Sequence, residues 1–393
     1  MENVEVGICP STLVEEGRVH RSVYTSAAVF QSELDRIWYR DWLLVGHVAE
    51  LPEPGSYVTR RMGRQPVIVC RDRDGRVRVL LNSCTHRGAT VLRPGYGRAR
   101  AFVCMYHGWT FGLDGRLASV PMRDHYGPEF REEAMGLKEV ARVALYRGLI
   151  FASFSDDVPP IETHLGEARR FVDMALTDDI EVLGTMEYEY RGNWKFHMEN
   201  TIDGLHGIYL HRLFGNSGLL SSGNSLDLGN GHAGLMWRAE KAKGESGRLM
   251  GLDTTDTSPD TSRTIVLFPN TGLVHIQDLI NLRIVMPIAA DRTRVFTAAL
   301  GRRSDTPELR ARRASQLSAV QGPAGAAGAD DIEVFEALQE GCAARAPEID
   351  WLDFSRGARG SSGDLTDETG VRGCYRRWKA MMAVSQADRG RST

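Results

Sequence analysis

Two pairs of metal-ligating residues, Cys84-x-His86 and Cys104-x-x-His107, stand seventeen residues apart in the stretch CTHRGATVLRPGYGRARAFVCMYHGW. Thiolates and imidazoles presented in two such pairs suit a tetrahedral zinc ion. They also suit a two-iron cluster with both cysteines on one iron and both histidines on the other, each pair giving one ligand to each iron. Neutral imidazole in place of thiolate removes negative charge and raises the potential of such a cluster above that of an all-cysteine one. Gly88 and Gly108 beside the pairs let backbone N–H groups approach the sulfurs. Spacing alone leaves zinc and iron–sulfur both open.

A second constellation lies in NWKFHMENTIDGLHGIYLH, residues 193–211. On one helix, Trp194, Met198, Leu205, Ile208 and Tyr209 share an apolar face. Glu199, Asn200, Asp203, His206 and Gly207 share the opposite face, with His211 at its margin. His206 and His211 are five apart, about 140° on a straight helix, so joint chelation requires a break, which Gly207 permits. A third ligand is legible in DDIEVFEALQEG: Asp331, Val334, Phe335 and Leu338 form one inward stripe, and a carboxylate there is costly unless a cation meets it. Asp330, Glu333, Glu336 and Glu340 point to solvent on this reading, and Asp330 suits the positive end of the helix dipole. Two histidines and one carboxylate form the facial triad of non-haem Fe(II) sites, with positions left open for O2. His197 falls on the apolar side and reads as structural.

The elements that must position these residues divide the chain. From about 40 to 155 it is strand-rich, with hairpin turns at Asp74-Gly75 and Asp114-Gly115. After DDVPPIE, helical patterns follow near 164–176 and 194–211, and GPAGAAG reads as a loop feeding a helix. The boundaries expected are 1–39 and 156–393 for a larger α+β domain and 40–155 for a small all-β module. Read as one strand, VHIQDLINLRIVMP puts Val274, Ile276, Ile280, Leu282, Ile284 and Met286 on one face. His275, Gln277, Asn281 and Arg283 fall on the other, and Arg283 is a candidate bidentate anchor for a substrate carboxylate. Residues 216–264 and 356–363 read as surface loops. Gly229, Gly231 and Gly234 spell G-x-G-x-x-G, but SSGNSLDL before them is a poor strand, so the segment reads as a loop and no dinucleotide site is visible.

Composition sets outer bounds. At 393 residues, 42% apolar and 25% charged, the chain has ordinary globular make-up. A net charge of −3 gives no electrostatic case for nucleic acid or an anionic membrane. The first seventeen residues lack the basic and apolar regions of a signal peptide, and no charge-free run approaches bilayer length. Six cysteines do not make a disulfide framework, and a cytoplasmic setting is expected, with Cys9, Cys70, Cys342 and Cys374 as ordinary thiols.

CTHRG followed by CMYHGWTFGLDGRL resembles, residue for residue, the Rieske motif of the ring-hydroxylating oxygenase α subunits. Asn200, Asp203, His206 and His211 match that family's N-x-x-D-x-x-H-x4-H pattern, and GPAG followed by Asp330-Asp331 resembles its segment bearing an iron-binding aspartate second in the pair. The resemblance implies an all-β Rieske module joined to a larger catalytic domain of antiparallel sheet backed by helices. It implies a [2Fe-2S] cluster on Cys84, Cys104, His86 and His107, and a mononuclear Fe(II) on His206, His211 and Asp331. Asp203 becomes the bridge from His107 of one subunit to His206 of its neighbour, with Asn200 near the iron. A ring of subunits follows, a homotrimer or an α3β3 assembly with a small β subunit. Electrons come from a separate NAD(P)H-dependent reductase, directly or through a ferredoxin. The end of the chain, ETGVRGCYRRWKAMM, looks most like the salicylate, terephthalate and anthranilate group, whose substrates are aromatic acids. The activity implied is cis-dihydroxylation or monohydroxylation of an aromatic ring with O2. The rivals are an electron carrier with a non-catalytic second domain and a zinc-stabilised binding protein.

Overall fold

The computed structural model describes residues 10–212, 222–238, 262–344, 350–359 and 363–383. The chain forms two compact units: Tyr39–Ile161, and a larger one joining Met1–Trp38 to Glu162–Thr393.

The smaller unit is all-β. Its four-stranded sheet runs in the order Val77–Leu81, Gln65–Arg71, Ser56–Met62, Tyr96–Arg98, and two three-stranded sheets accompany it. Both Asp-Gly turns close hairpins: Arg71 pairs with Val77 around Asp74-Gly75, and Phe111 with Leu117 around Asp114-Gly115. Ile68, Leu80, Phe102, Trp109 and Phe111 make a core that also encloses Cys84 and Cys104.

The larger unit is built on a seven-stranded antiparallel sheet. Its strands are β1 (Ile180–Tyr190), β2 (Gly223–Asp227), β3 (Ala233–Trp237), β4 (Ser262–Leu267), β5 (Thr271–Ile276), β6 (Leu279–Ala289) and β7 (Arg292–Arg302), in the order β1-β7-β6-β5-β4-β3-β2. Every residue of β4 is buried, so both faces of the central strands are covered. This is why their sequences read as apolar runs rather than as clean alternation. Among its helices, those that bear on the site are α1 (Trp194–Thr201), α2 (His206–Tyr209), α3 (Pro307–Gln316), α4 (Gly328–Ala343) and α5 (Thr369–Ala383). α1 is capped by Asn193, whose side chain accepts the Lys195 N–H at 3.1 Å. It is held from below by Glu33, a fully buried carboxylate that accepts from Lys195 Nζ, Trp194 Nε1 and Trp378 Nε1 at 2.6–2.9 Å. Three donors and one opposite charge meet the condition under which a buried ion pair is tolerated.

Several expectations are corrected. Residues 274–286 are not one strand: Gln277 (φ +53°) and Asp278 turn the chain, and Ile276 pairs with Leu279. The two-residue turn flips the alternation, so Val274 and Ile276 share a face with Arg283, while His275 joins Ile280 and Leu282 on the other. Residues 194–211 are two helices rather than one. Ile208 and Tyr209, expected inward, are 39% and 74% exposed. Glu199 leaves the face of Asn200 to accept hydrogen bonds from Tyr24 and Tyr375. On α4 the inward residues are Asp331, Phe335 and Cys342, Val334 is half-buried and Leu338 is exposed. The presumed loop 216–264 contains β2, β3 and the start of β4. Gly229 and Gly231 form the β2–β3 turn and Gly234 lies in β3, so no helix follows the glycine motif. Residues 216–221 and 239–261 of that stretch, with Cys9 and residues 360–362, lie outside the described residues.

Candidate metal centres

The two Cys/His loops are near copies. In each, the glycine four residues after the cysteine returns its N–H to the cysteine carbonyl: Gly88 to Cys84 at 2.8 Å and Gly108 to Cys104 at 2.9 Å. Both glycines sit at positive φ, +76° and +70°, which a side chain would strain. The amides that reach the Cys84 sulfur are those of His86 and Arg87; burial pushes this thiol up and these amides oppose it. Cys84 and Cys104 are buried, whereas His86 and His107 are half-buried, with ring centroids 4.8 Å apart. Trp109 stacks on His86 at 4.7 Å. Two thiols inward and two imidazoles outward is the division a two-iron Cys2His2 cluster requires.

In the larger unit, ligand atoms of His206, His211 and Asp331 all lie within 4.8 Å of one another. Gly204 lies in the short break between α1 and α2 at residues 202–205; a Cβ there would collide with the Leu365 backbone. What lies between the two histidines is the end of α2 after Tyr209, not a distortion at Gly207, which is inside α2; with the helix ended there the two rings stand 5.1 Å apart between centroids. Asp331 Oδ1 is 3.2 Å from His211 Nε2 and 3.9 Å from His206 Nε2, and it accepts Asn200 Nδ2–H at 3.0 Å. Its position in the first turn of α4 depends on Gly328, where a Cβ would strike the Gly322 carbonyl. Burial alone would push Asp331 up, but the bond from His211 and the neighbouring imidazoles bring it down to about 2. This donor set fits a metal about 2.1 Å from each atom with less than about 1 Å of adjustment.

Each histidine has a carboxylate on its other side. Asp203 Oδ2 is 3.6 Å from His206 Nδ1, and Asp330 Oδ2 is 3.2 Å from His211 Nδ1. The Asp330 contact is within hydrogen-bond reach and fixes the His211 tautomer and ring orientation, whereas Asp203 Oδ2 accepts the His206 backbone N–H at 3.4 Å rather than the ring. Asp330, expected to face solvent, is 41% exposed in its side chain and in addition contacts His211, with the Asp-Asp pair as the available signal for it. His197 is 1% exposed, lies against Tyr190 and Phe335, and has no hydrogen-bond partner on either nitrogen among the described residues.

The triad opens on a cavity of about 90 Å3 whose exposed surface is mostly apolar, with Leu235, Val274 and Ile276 in its wall. Arg283 also lines it, 5% exposed. Among the described residues its one hydrogen bond runs from Nε–H to Asn281 Oδ1 at 3.0 Å, and no carboxylate is within ion-pair distance. Arg283 thus lines the same cavity as the two imidazoles and the aspartate.

Residues 41–140 match the family described as the Rieske [2Fe-2S] domain, and residues 177–384 match the ring hydroxylating alpha subunit (catalytic domain). The chain belongs to the ring-hydroxylating oxygenase α subunits. It is 34% identical to the toluate 1,2-dioxygenase subunit alpha of Pseudomonas putida, over 88% of this chain and 84% of that subunit. It is 31% identical to the 2-halobenzoate 1,2-dioxygenase large subunit of Burkholderia cepacia, over 87% and 80%. A structure of naphthalene 1,2-dioxygenase with indole bound in the active site superposes with a TM-score of 0.84 at 27% identity, covering 95% of this chain and 94% of that one. The protein is therefore an oxidoreductase that hydroxylates an aromatic ring, and its cofactors are a Rieske [2Fe-2S] cluster and a mononuclear iron. Its α+β architecture is that of the naphthalene enzyme. Among the described residues no helix is long and apolar enough to cross a membrane.

Proposed function

We propose that this chain is the terminal oxygenase of a cytoplasmic aromatic-acid hydroxylating system, with an aromatic carboxylate as substrate. The observation that carries this reading is a buried arginine with no carboxylate within ion-pair distance among the described residues, lining the same cavity as His206, His211 and Asp331. A planar guanidinium there meets a carboxylate through two parallel hydrogen bonds. The apolar walls take the ring, and the triad lies beside it. Two relatives are named for toluate and halobenzoate, which are aromatic carboxylates, and this supports the assignment.

In this reading His206, His211 and Asp331 hold the mononuclear iron, and Cys84, Cys104, His86 and His107 hold the cluster. Bound there, iron would supply the redox chemistry that activates O2 beside the substrate. Asp330 and Asn200 keep His211 and Asp331 aimed at the metal. Asp203, 3.6 Å from His206 Nδ1, would bridge that imidazole and, across a subunit boundary, His107 of a neighbouring copy, which requires a trimeric ring, α3 or α3β3. Electrons enter from a separate NAD(P)H-dependent reductase, directly or through a ferredoxin. The product is a cis-dihydrodiol or a phenol.

The test is product analysis with a panel of aromatic acids, a surrogate reductase, NADH and O2, alongside an iron count. Three irons per chain and oxygenated acids are expected. Two irons per chain after anaerobic iron loading, or oxidation of neutral arenes only, would refute the reading.

A further inference from the structure

Helix α1 has two occupied faces. Asn200 and Thr201 look into the chamber of the iron triad. Trp194, Lys195, Met198 and Glu199 instead line a separate cavity of about 20 Å3, shared with Tyr375 and Trp378 of α5. That is room for about one water molecule. Hydroxylation at the triad does not call on this second face, yet its groups are of types that do chemistry.

Four side chains here can be oxidised one electron at a time, and each already gives its acidic hydrogen to a carboxylate. Trp194 Nε1 and Trp378 Nε1 donate to Glu33 at 2.9 and 2.7 Å. Tyr24 Oη donates to Glu199 Oε1 at 2.9 Å, Tyr375 Oη donates to the same oxygen, and the two phenol oxygens are 2.5 Å apart. Tyr24 is 0% exposed and Tyr375 5%. Burial pushes both phenols up, so they rest as O–H. A buried phenol resists losing an electron, because the radical cation formed is a charge in an apolar setting. A base in hydrogen-bond contact removes that obstacle: the proton leaves with the electron, and a neutral radical stays behind.

The pair stands between the iron site and the surface. Glu199 adjoins Asn200, whose side chain donates to Asp331 at 3.0 Å. Phenols and triad are therefore separated by about one helix width, roughly 10–12 Å. Electrons cross such a gap in protein without a further carrier. On its outer side Tyr375 lines a surface groove with the exposed Glu15, Glu16, Arg18, Arg376 and Lys379.

We propose that Tyr24 and Tyr375, with Glu199 as their proton acceptor, form a redox relay that draws oxidising equivalents off the iron site when O2 is reduced there without hydroxylating a substrate. This rests on His206, His211 and Asp331 as the iron ligands. The Tyr375 O–H bond breaks, its electron passes to the oxidised iron site, and its proton passes to the Glu199 carboxylate. A neutral phenoxyl radical remains. A one-electron reductant in solvent, ascorbate or a thiolate, returns the electron at the groove, and Glu199 returns the proton. The iron ligands and chamber walls are thereby spared oxidation.

The experiment adds hydrogen peroxide, without substrate, to the anaerobic enzyme with its cluster oxidised and its mononuclear iron ferrous. Freeze-quenched samples are followed by electron paramagnetic resonance. A free-radical signal is expected, and its hyperfine pattern narrows in protein grown on ring-deuterated tyrosine. Tyr375→Phe and Glu199→Gln lose the signal. Tyr190→Phe keeps it, because that buried phenol donates to the Asn193 carbonyl and to no carboxylate. Phenylalanine keeps each ring packed, and melting curves with an iron count check that the variants are intact. The relay is overturned if wild-type protein with its full complement of iron gives no tyrosine-derived signal. A signal that survives in the Tyr24→Phe/Tyr375→Phe double variant overturns it equally. Loss of all mononuclear iron from protein loaded anaerobically would strike the iron-site reading itself, and the relay with it.

Discussion

Replacing Arg283 by methionine should weaken carboxylate binding while making the folded protein more stable. In the structure the guanidinium is 5% exposed, makes one hydrogen bond, to Asn281, and has no acidic neighbour in ion-pair range among the described residues. A buried cation whose charge partner, Asp331, stands beyond ion-pair distance is only partly compensated, and exchange for an apolar side chain of similar length is worth on the order of 1 kcal/mol. For a unit of this size that raises Tm by about 2–4 °C. Losing one partner of a desolvated charge pair costs about 2–5 kcal/mol, or roughly 30- to 5000-fold in the dissociation constant.

The assay is benzoate binding to iron-loaded wild-type and Arg283→Met protein, with melting curves in the absence of ligand and toluene as control. Benzoate affinity should fall by at least about 30-fold, toluene affinity should hold or improve, and Tm should rise. The opposite pattern identifies a structural arginine: a drop of several degrees in Tm with benzoate and toluene weakened together. A change in benzoate affinity below about threefold, with unaltered Tm, would also refute the reasoning, because it would mean the cation is neither costly nor used.

Asp330→Asn leaves an amide beside His211 Nδ1 in place of the 3.2 Å carboxylate. Mononuclear iron affinity should fall about 10- to 100-fold, with the cluster's visible spectrum unchanged. Asp203→Ala should retain all three irons yet lose coupled turnover, seen as a reduced cluster that no longer reoxidises in the presence of substrate and O2. Glu199 is raised from 4.5 to about 7 by burial, against the hydrogen bonds from Tyr375 and Tyr24 and the charge of Lys195. Between those values the folded protein holds a proton that the unfolded chain has released, so stability falls as pH rises through that window, by up to about 3 kcal/mol. Glu199→Gln should flatten this slope in denaturant midpoints taken from pH 4.5 to 8.

What the sequence could and could not convey follows from how local each feature is. The Cys/His loops are local: ligand, glycine and turn lie within five residues, and their type and order imply their geometry. Asp331 was legible for an energetic reason, since a carboxylate on an apolar stripe needs a cation. The same stripe overreached at Leu338, because helical periodicity gives direction but not how far the covering layer extends. Asp330 was misread for the converse reason: an N-terminal carboxylate on a helix is satisfied by the dipole alone, and nothing nearby in sequence says that His211, 119 positions earlier, sits beside it. The β5–β6 turn was missed because Gln277-Asp278 carries no glycine or proline, and Gln277 accepts positive φ without announcing it. That single turn has the largest functional consequence. A two-residue connection reverses the parity of everything after it, so Arg283 shares the face of Val274 and Thr264 instead of opposing the apolar set. An arginine alone on the polar side of a strand would be an ordinary surface cation; placed by the hairpin among apolar residues above the iron triad, it becomes a costly group that a ligand must complete.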